Sequence, residues 1–385
     1  MARRNQCIGS KPTFNPNIAI TDEETLEKAM HALEDNDIDT AIRTYFHIPK
    51  ADSYVYHAIA SITLAQVQAM VRLGDKNDLH NWYDNCRNDQ GEKLPPPNPS
   101  DLTAYTSIFL PSTSTSSALR AFTSNARKSS IRALSSSHLS SLFHLPPTSH
   151  PLPNKTKTTS VPPNPYLTFL LPTCHLLSWC GPTPLENLTR HNKSHPILPI
   201  YMHHFSCVCP SHDALTLLAK YAAGRRILDV GSGTGYWSFM LRQYGAECVP
   251  LDNGQSAWRT MWVDDTVEAD VMTWLARKEN CGGEDMMLLV VYPIVGGGIA
   301  GGAEGGFMRG LMKICKAELI AVVGTQNRNG YTAFRDMTVD EFVGREHRDW
   351  TKVVQLPLPS LPGKDDALFI FQRKDKVHLP GNKKD

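Results

Sequence analysis

The stretch Arg226–Tyr236, RILDVGSGTGY, has the residue types and spacing with the most chemical content in this chain. Ile227, Leu228 and Val230 flank a single acid, Asp229, and Gly231, Gly233 and Gly235 follow around Ser232. Glycines there permit a sharp turn and let a ligand approach the backbone with no Cβ in the way. Asp229 narrows the ligand. A dinucleotide site offers bare N–H groups to a pyrophosphate at this point, and a carboxylate would repel it. A ligand carrying an ammonium and a sulfonium but no phosphate would be attracted.

The elements that position these residues are also readable. An apolar run breaks into Gly-x-Gly-x-Gly, and Trp237, Phe239, Met240, Leu241 and Tyr244 then fall at helical spacing. That pattern predicts a buried parallel strand, a tight turn and a helix N-terminus. S-adenosylmethionine is the ligand with the right charges. The run resembles the first motif of the class I S-adenosylmethionine-dependent methyltransferases, apolar-apolar-acid-apolar-Gly-x-Gly-x-Gly. The resemblance covers about Ser211–Arg373 and implies an α/β fold, a doubly wound, mostly parallel seven-stranded sheet with an antiparallel closing hairpin. It also implies S-adenosylmethionine as cofactor, with Asp229 facing the methionine ammonium and Gly231, Ser232, Gly233 and Gly235 admitting its backbone. The segments QSAWRTMW and TQNRNGYT are similar to uncharacterised fungal proteins bearing this domain, which adds no substrate.

Further candidates lie at the expected strand ends. Glu247–Leu251 reads as the second strand, and Asp252 follows it with Asn253 beside it. An acid about 20 residues beyond the glycine turn is where a Rossmann-like site grips ribose hydroxyls, and two carboxylate oxygens can accept from both at once. Gln255–Trp262 reads as the next helix, with Trp258 or Trp262 flanking the adenine or filling the core. Asp270 closes a short third strand, where the family commonly accepts an adenine amino proton. Asp285–Tyr292 is the apolar fourth strand; Tyr292-Pro293 departs from the Asn/Asp-Pro-Pro-aromatic run of the methyltransferases that act on base amino groups. Tyr292 and His204 are the candidates for catalysis or acceptor contact, each with a core role as the alternative. Gly296–Gly306 reads as a lid or a plain surface loop, Glu318–Gly324 as the fifth strand, and Val353–Leu356 with Leu368–Gln372 as the closing hairpin.

His203, His204, Cys207 and Cys209 are zinc-ligand types, but four within seven residues do not match a zinc-finger spacing, so no metal is expected. An irregular strand entering a helix capped by Ser211 is the expected structure there.

The chain has 385 residues and a formal net charge of +1, so no global field draws it to nucleic acid or an anionic membrane. The charge is uneven. Residues 1–90 carry 9 basic and 13 acidic side chains, 91–200 carry 9 and 3, and 201–385 carry 21 and 22. Nine scattered cysteines read as free thiols of a reducing compartment, which, without a secretory signal, points to an intracellular, cytoplasmic protein. The apolar run Pro165–Cys180 is too short to span a bilayer.

The chain divides into four regions: 1–92, a loose arm and then amphipathic helices; 93–195, an insert; 196–376, the methyltransferase-like domain; and 377–385, a frayed tail. Of residues 111–141, 12 are serine, which argues against packed structure from about Ser129 to His195. The insert reads either as a disordered linker or as translated intron. The expected partner is a small-molecule or protein methyl acceptor, with no nucleic-acid signature and no indication of oligomeric state. A non-catalytic scaffold keeping the fold is the alternative.

Overall fold

The computed structural model describes residues 4–58, 60–76, 80–146, 161–184, 195–293, 303–328 and 332–376. Strand β1 (Gln6–Cys7) and helices α1 (Pro16–Ala19), α2 (Glu23–Glu34) and α3 (Ile38–Tyr45) open the chain. A small hairpin, β2 (Tyr56–His57) and β3 (Ser61–Ile62), leads to α4 (Leu64–Lys76). Then come α5 (Pro99–Thr106), α6 (Thr115–Ser124), α7 (Ile131–Leu142), α8 (Pro165–Leu176), α9 (Leu198–His204) and α10 (His212–Ala222). The alternating part is β4 (Arg226–Val230), α11 (Tyr236–Gln243), β5 (Cys248–Asp252), β6 (Thr260–Met261), β7 (Val267–Glu268) and α12 (Val271–Ala276). It continues through β8 (Met286–Val291), α13 (Gly306–Ile314), β9 (Leu319–Thr325), α14 (Val339–Glu346), β10 (Trp350–Pro357) and β11 (Asp366–Arg373).

Seven strands form one sheet in the order β10-β11-β9-β8-β4-β5-β7. All pairs among β7, β5, β4, β8 and β9 are parallel, and β11 runs antiparallel to both its neighbours. The strand order reverses between β4 and β8, the point where an open α/β sheet leaves a crevice at its carboxyl edge. Register aligns that edge. Val230 pairs with Val290 and Val291 with Val323, while Asp366 lies opposite Thr325. Ser232 and Tyr292, just past β4 and β8, therefore lie at nearly one level with Thr325, the end of β9, and Asp366, the start of β11.

Alternate residues of each central strand enter different cores. Ile227, Met287, Leu289, Ala321 and Val323 join a large cluster reaching back to Phe14, Tyr45 and Phe169. Leu228, Val230, Leu288, Val290 and Val322 face the cluster built on α12, α13 and α14.

The structure corrects four expectations. The insert is not disordered through its described residues: α5 to α8 are helical, and Phe169, Cys174 and Trp179 are fully buried. The remaining stretches of the insert, 147–160 and 185–194, lie outside the described residues, as do the tail from 377 and the glycine-rich 294–302. The N-terminal arm is not loose, because Gln6 and Cys7 pair with Met261 and Thr260 and Phe14 packs edge-on against Trp262. Gln255–Trp262 is a loop ending in β6 rather than a helix, since its residues serve that pairing. The stretch before Ser211 is helix α9, not a strand. Among the described residues no helix is long and apolar enough to cross a membrane.

Candidate functional site

β4 ends at Val230, and the chain turns through three glycines with positive φ into α11, whose N-cap is Gly235. The turn is tied to the neighbouring strand: Gly231 and Ser232 N–H both donate to Leu251 O, at 2.8 and 3.0 Å. A Cβ on Gly231 would meet nothing within 4 Å, so this backbone faces open space. A Cβ on Gly233 would come within 3.3 Å of the Trp258 indole, which rests on the turn.

Asp252 stands at the tip of β5 and closes the other wall. Its Oδ2 accepts from Gly233 N–H at 2.9 Å and its Oδ1 from Gly254 N–H at 2.8 Å. An ionised carboxylate has about four acceptor positions, so Asp252 can accept from several donors at once. Asn253 is exposed, and its Oδ1 accepts from Gln255 N–H at 3.1 Å.

Asp229 is 0 % exposed. Its Oδ2 accepts from Ser238 Oγ at 2.7 Å, while its Oδ1 has no hydrogen-bond partner among the described residues. Burial first, and then the nearby Asp252, push its pKa up to about 7, against the opposing Ser238 bond. Ser232 Oγ is likewise buried without a partner among the described residues. Two orphaned oxygens beside an open glycine backbone are unusual, since buried polar groups are nearly always satisfied. They fit a ligand that brings donors of its own. S-adenosylmethionine does so through its ammonium and ribose hydroxyls.

Asp270 caps α12: its Oδ1 accepts from Thr273 N–H at 2.9 Å and Oγ1 at 3.0 Å. Local helix chemistry accounts for that carboxylate, and it stands two residues beyond β7. The candidate His204 is corrected. It is fully buried, stacked on Phe46 with ring centroids 4.0 Å apart, and hydrogen-bonded at Nε2 to Tyr56 and at Nδ1 to Thr260. Burial holds its pKa well below the usual range. It joins a core network with Arg259, which donates to the Tyr56 hydroxyl at 2.6 Å and pairs with Asp52 at 2.8 Å. His203 donates from Nε2 to His57 O at 2.9 Å. Among the described residues no group of three or more His, Cys, Asp or Glu is placed to hold a metal ion.

Tyr292 directly follows β8, at the carboxyl edge as its position in sequence predicts. Its φ of 57° is rare for a bulky side chain, and its N–H donates to Val323 O at 2.7 Å. Its hydroxyl is hydrogen-bonded to Nζ of Lys364, which also lies 3.6 Å from the ring centroid. Lys364 and Asp366 carry no signal in the sequence. PGKDD reads as an exposed turn, yet residues 358 to 366 are all buried.

No protein-family model and no curated protein matches the chain. Similar solved structures include a putative RNA methyltransferase from Pyrococcus horikoshii, 14% identical over 42% of this chain and 80% of that one, with a TM-score of 0.30. Another is a putative SAM-dependent methyltransferase from Streptococcus mutans, at 16% identity and a TM-score of 0.28 over 42% of this chain. The match spans 47% of that protein. A third is the magnesium protoporphyrin IX methyltransferase of Synechocystis, solved with bound SAM, at 11% identity and a TM-score of 0.28 over 42% and 78% of the two chains. These likenesses are partial and low, so a functional reading rests on the sheet order and the geometry of the turn.

Proposed function

We propose that this chain binds S-adenosylmethionine at the β4–α11 turn and transfers its methyl group to a small-molecule or protein acceptor. The observation that carries this reading is the pair of orphaned buried oxygens, Asp229 Oδ1 and Ser232 Oγ, beside the open backbone of Gly231. Asp229 would meet the ammonium, Gly231, Ser232, Gly233 and Gly235 would admit the cofactor backbone, and Asp252 would accept from the ribose. Asn253 would border the adenosine from the loop beyond β5. Asp270 would approach the adenine only through the oxygen its cap leaves over. The sulfonium, when bound, supplies an electrophilic methyl. The protein's part is to align an acceptor at the carboxyl edge and exclude water.

Calorimetry with S-adenosylmethionine, S-adenosylhomocysteine and NAD tests the reading. The first two should bind and NAD should not. Asp252→Ala should weaken both adenosyl ligands by ~1.5–3 kcal/mol through lost charge-assisted bonds. Undiminished affinity in a folded Asp252→Ala protein removes the ribose from that strand tip.

The indole of Trp258 on Gly233 favours a second reading, a scaffold whose turn is covered. Trp258 Nε1 is buried and lacks a hydrogen-bond partner among the described residues. If the site is used, S-adenosylhomocysteine must displace or restack this ring, and tryptophan emission should change in the wild type but not in Trp258→Phe. Emission that stays constant on titration, with no calorimetric heat, supports the scaffold.

A further inference from the structure

Beside the cofactor turn, the carboxyl edge holds a second group of polar residues that methionine and ribose binding do not require. Lys364 is 1 % exposed and Asp366 4 %, with Nζ and Oδ1 3.9 Å apart. That is too long for a hydrogen bond, and Asp366 Oδ1 has no hydrogen-bond partner among the described residues. Buried ion pairs of this kind add little stability, because desolvation offsets the attraction. Lys364 nevertheless hydrogen-bonds the hydroxyl of Tyr292. Tyr292 is half-buried, whereas Lys364 is almost fully buried. Tyr292 is therefore the more accessible of the two residues and Lys364 the more enclosed.

The surroundings fix this arrangement. Asp365 is held by His138 Nε2 at 2.7 Å from α7 and by Gln326 Nε2 at 2.8 Å from the end of β9. Gln326 in turn accepts from Gln355 Nε2 at 2.9 Å. These bonds set the backbone on which Lys364 and Asp366 sit. The left-handed backbone of Tyr292 costs energy of the order that persists only where the structure enforces it, often at functional sites.

We propose that Tyr292 and Lys364 form a proton relay that deprotonates a protic acceptor, a hydroxyl or an amine, as it is methylated, with Asp366 as the counter-ion. The proposal rests on the methyl-transfer reading above. The acceptor's lone pair forms the bond to the methyl carbon while the carbon–sulfur pair returns to sulfur. The acceptor's proton passes to the Tyr292 oxygen as the phenol proton passes to the neutral Nζ of Lys364, leaving an ammonium beside the Asp366 carboxylate. Tyr292 is then the catalytic residue and Lys364 acts through it. Burial lowers the Lys364 pKa, against Asp366 and Cys207, which raise it; burial pushes Asp366 up to about 6, with Asp365 adding to the rise and Lys364 opposing it. Cys207, from the segment after α9, also acts on the amine, and burial holds its thiol up at about 11.

The first test uses the ligand-free protein, with lysines labelled at Cε and followed by NMR against pH. One lysine, absent from the spectrum of Lys364→Met, should titrate below the others, and in Asp366→Asn it should titrate lower still. A Lys364 signal that titrates with the surface lysines overturns the relay. The second test measures S-adenosylhomocysteine affinity and turnover in a cofactor-consumption screen of hydroxyl and amine acceptors. Tyr292→Phe should keep its ligand affinity and lose roughly a hundredfold or more in turnover. The double variant Lys364→Met/Asp366→Leu removes the buried amine and carboxyl together and guards against simple unfolding; it should lose turnover likewise and flatten the pH profile. Wild-type turnover in either variant overturns the relay and leaves the methyl-transfer reading standing. A wild type that binds no S-adenosylhomocysteine defeats that reading instead.

Discussion

Changing Asp229 to asparagine will abolish the pH dependence of S-adenosylmethionine binding, weaken that binding at pH 8, and stabilise the ligand-free fold at the same pH. The carboxyl is fully buried, and its pKa stands at about 7, well above the usual carboxylate range. The sign comes from linkage. A carboxyl whose folded pKa is raised contributes stability below its unfolded pKa, and that contribution is lost as the pH climbs through the folded value. Between about pH 4 and pH 7 the ligand-free protein should therefore lose stability on account of this one group, and asparagine should remove that slope. Binding has the opposite sense. A cationic ligand selects the ionised carboxyl, so affinity should rise with pH up to about 7 and level off above it. Each unit below the midpoint should cost about tenfold. Calorimetry from about pH 5 to about pH 9, with thermal unfolding of the free protein alongside, measures both. Affinity flat across that range in the wild type would mean that Asp229 braces Ser238 and the turn without meeting the ligand.

The residues that make this prediction possible were legible because their information is local. RILDVGSGTGY specifies a buried strand, a turn that needs glycines and a helix start within eleven residues, and β4 and α11 lie where that pattern puts them. Asp252, MMLLVV and LIAVVG were readable on the same basis, an apolar run of strand length ending at a polar step. The cap at Ser211 is likewise decided within one helical turn.

What failed depends on partners far away in sequence. QSAWRTMW has helical spacing, but Arg259 is needed by Asp52, Tyr56 and the carbonyl of Ile8, so the segment is drawn into a strand pair with the N-terminus. His204 had the chemistry of a catalytic group, and only the packing of Phe46 and Tyr56 shows that no acceptor can reach it. Lys364 offers no signal in sequence. A lysine beside two aspartates after Pro-Gly reads as a solvated turn, and its burial comes from the loop between β10 and β11 folding under the insert's helices.

The insert gives the other large expected effect, and it reverses what composition suggests. Helix α8, PYLTFLLPTCHL, is apolar around most of its circumference, and that is the pattern of a helix buried on all sides. Serine-rich neighbours and Pro172 disguise it. Phe169 is 0 % exposed and contacts the ring of Tyr45 from α3 at 5.2 Å and that of Phe205, just past α9, at 5.8 Å. Asn164, which caps α8, accepts from the Tyr236 hydroxyl at 2.8 Å and donates to Pro210 O at 2.8 Å, joining the insert to the first turn of α11. One side chain thus spans the N-terminal helices, the insert and the segment under the glycine turn. Phe169→Ala should cost about 3–5 kcal/mol, the sum of lost transfer energy and a cavity that such a crowded aromatic cluster cannot close. Lys128→Ala, on the exposed surface of the same insert, should change stability by less than about 0.5 kcal/mol. Denaturant unfolding followed by both fluorescence and circular dichroism should show a single transition shifted in Phe169→Ala, because the three regions share one core. A Phe169→Ala protein as stable as the wild type would mean that α8 is not seated between α3 and α9 in solution, and the composition of the insert would then be the better guide.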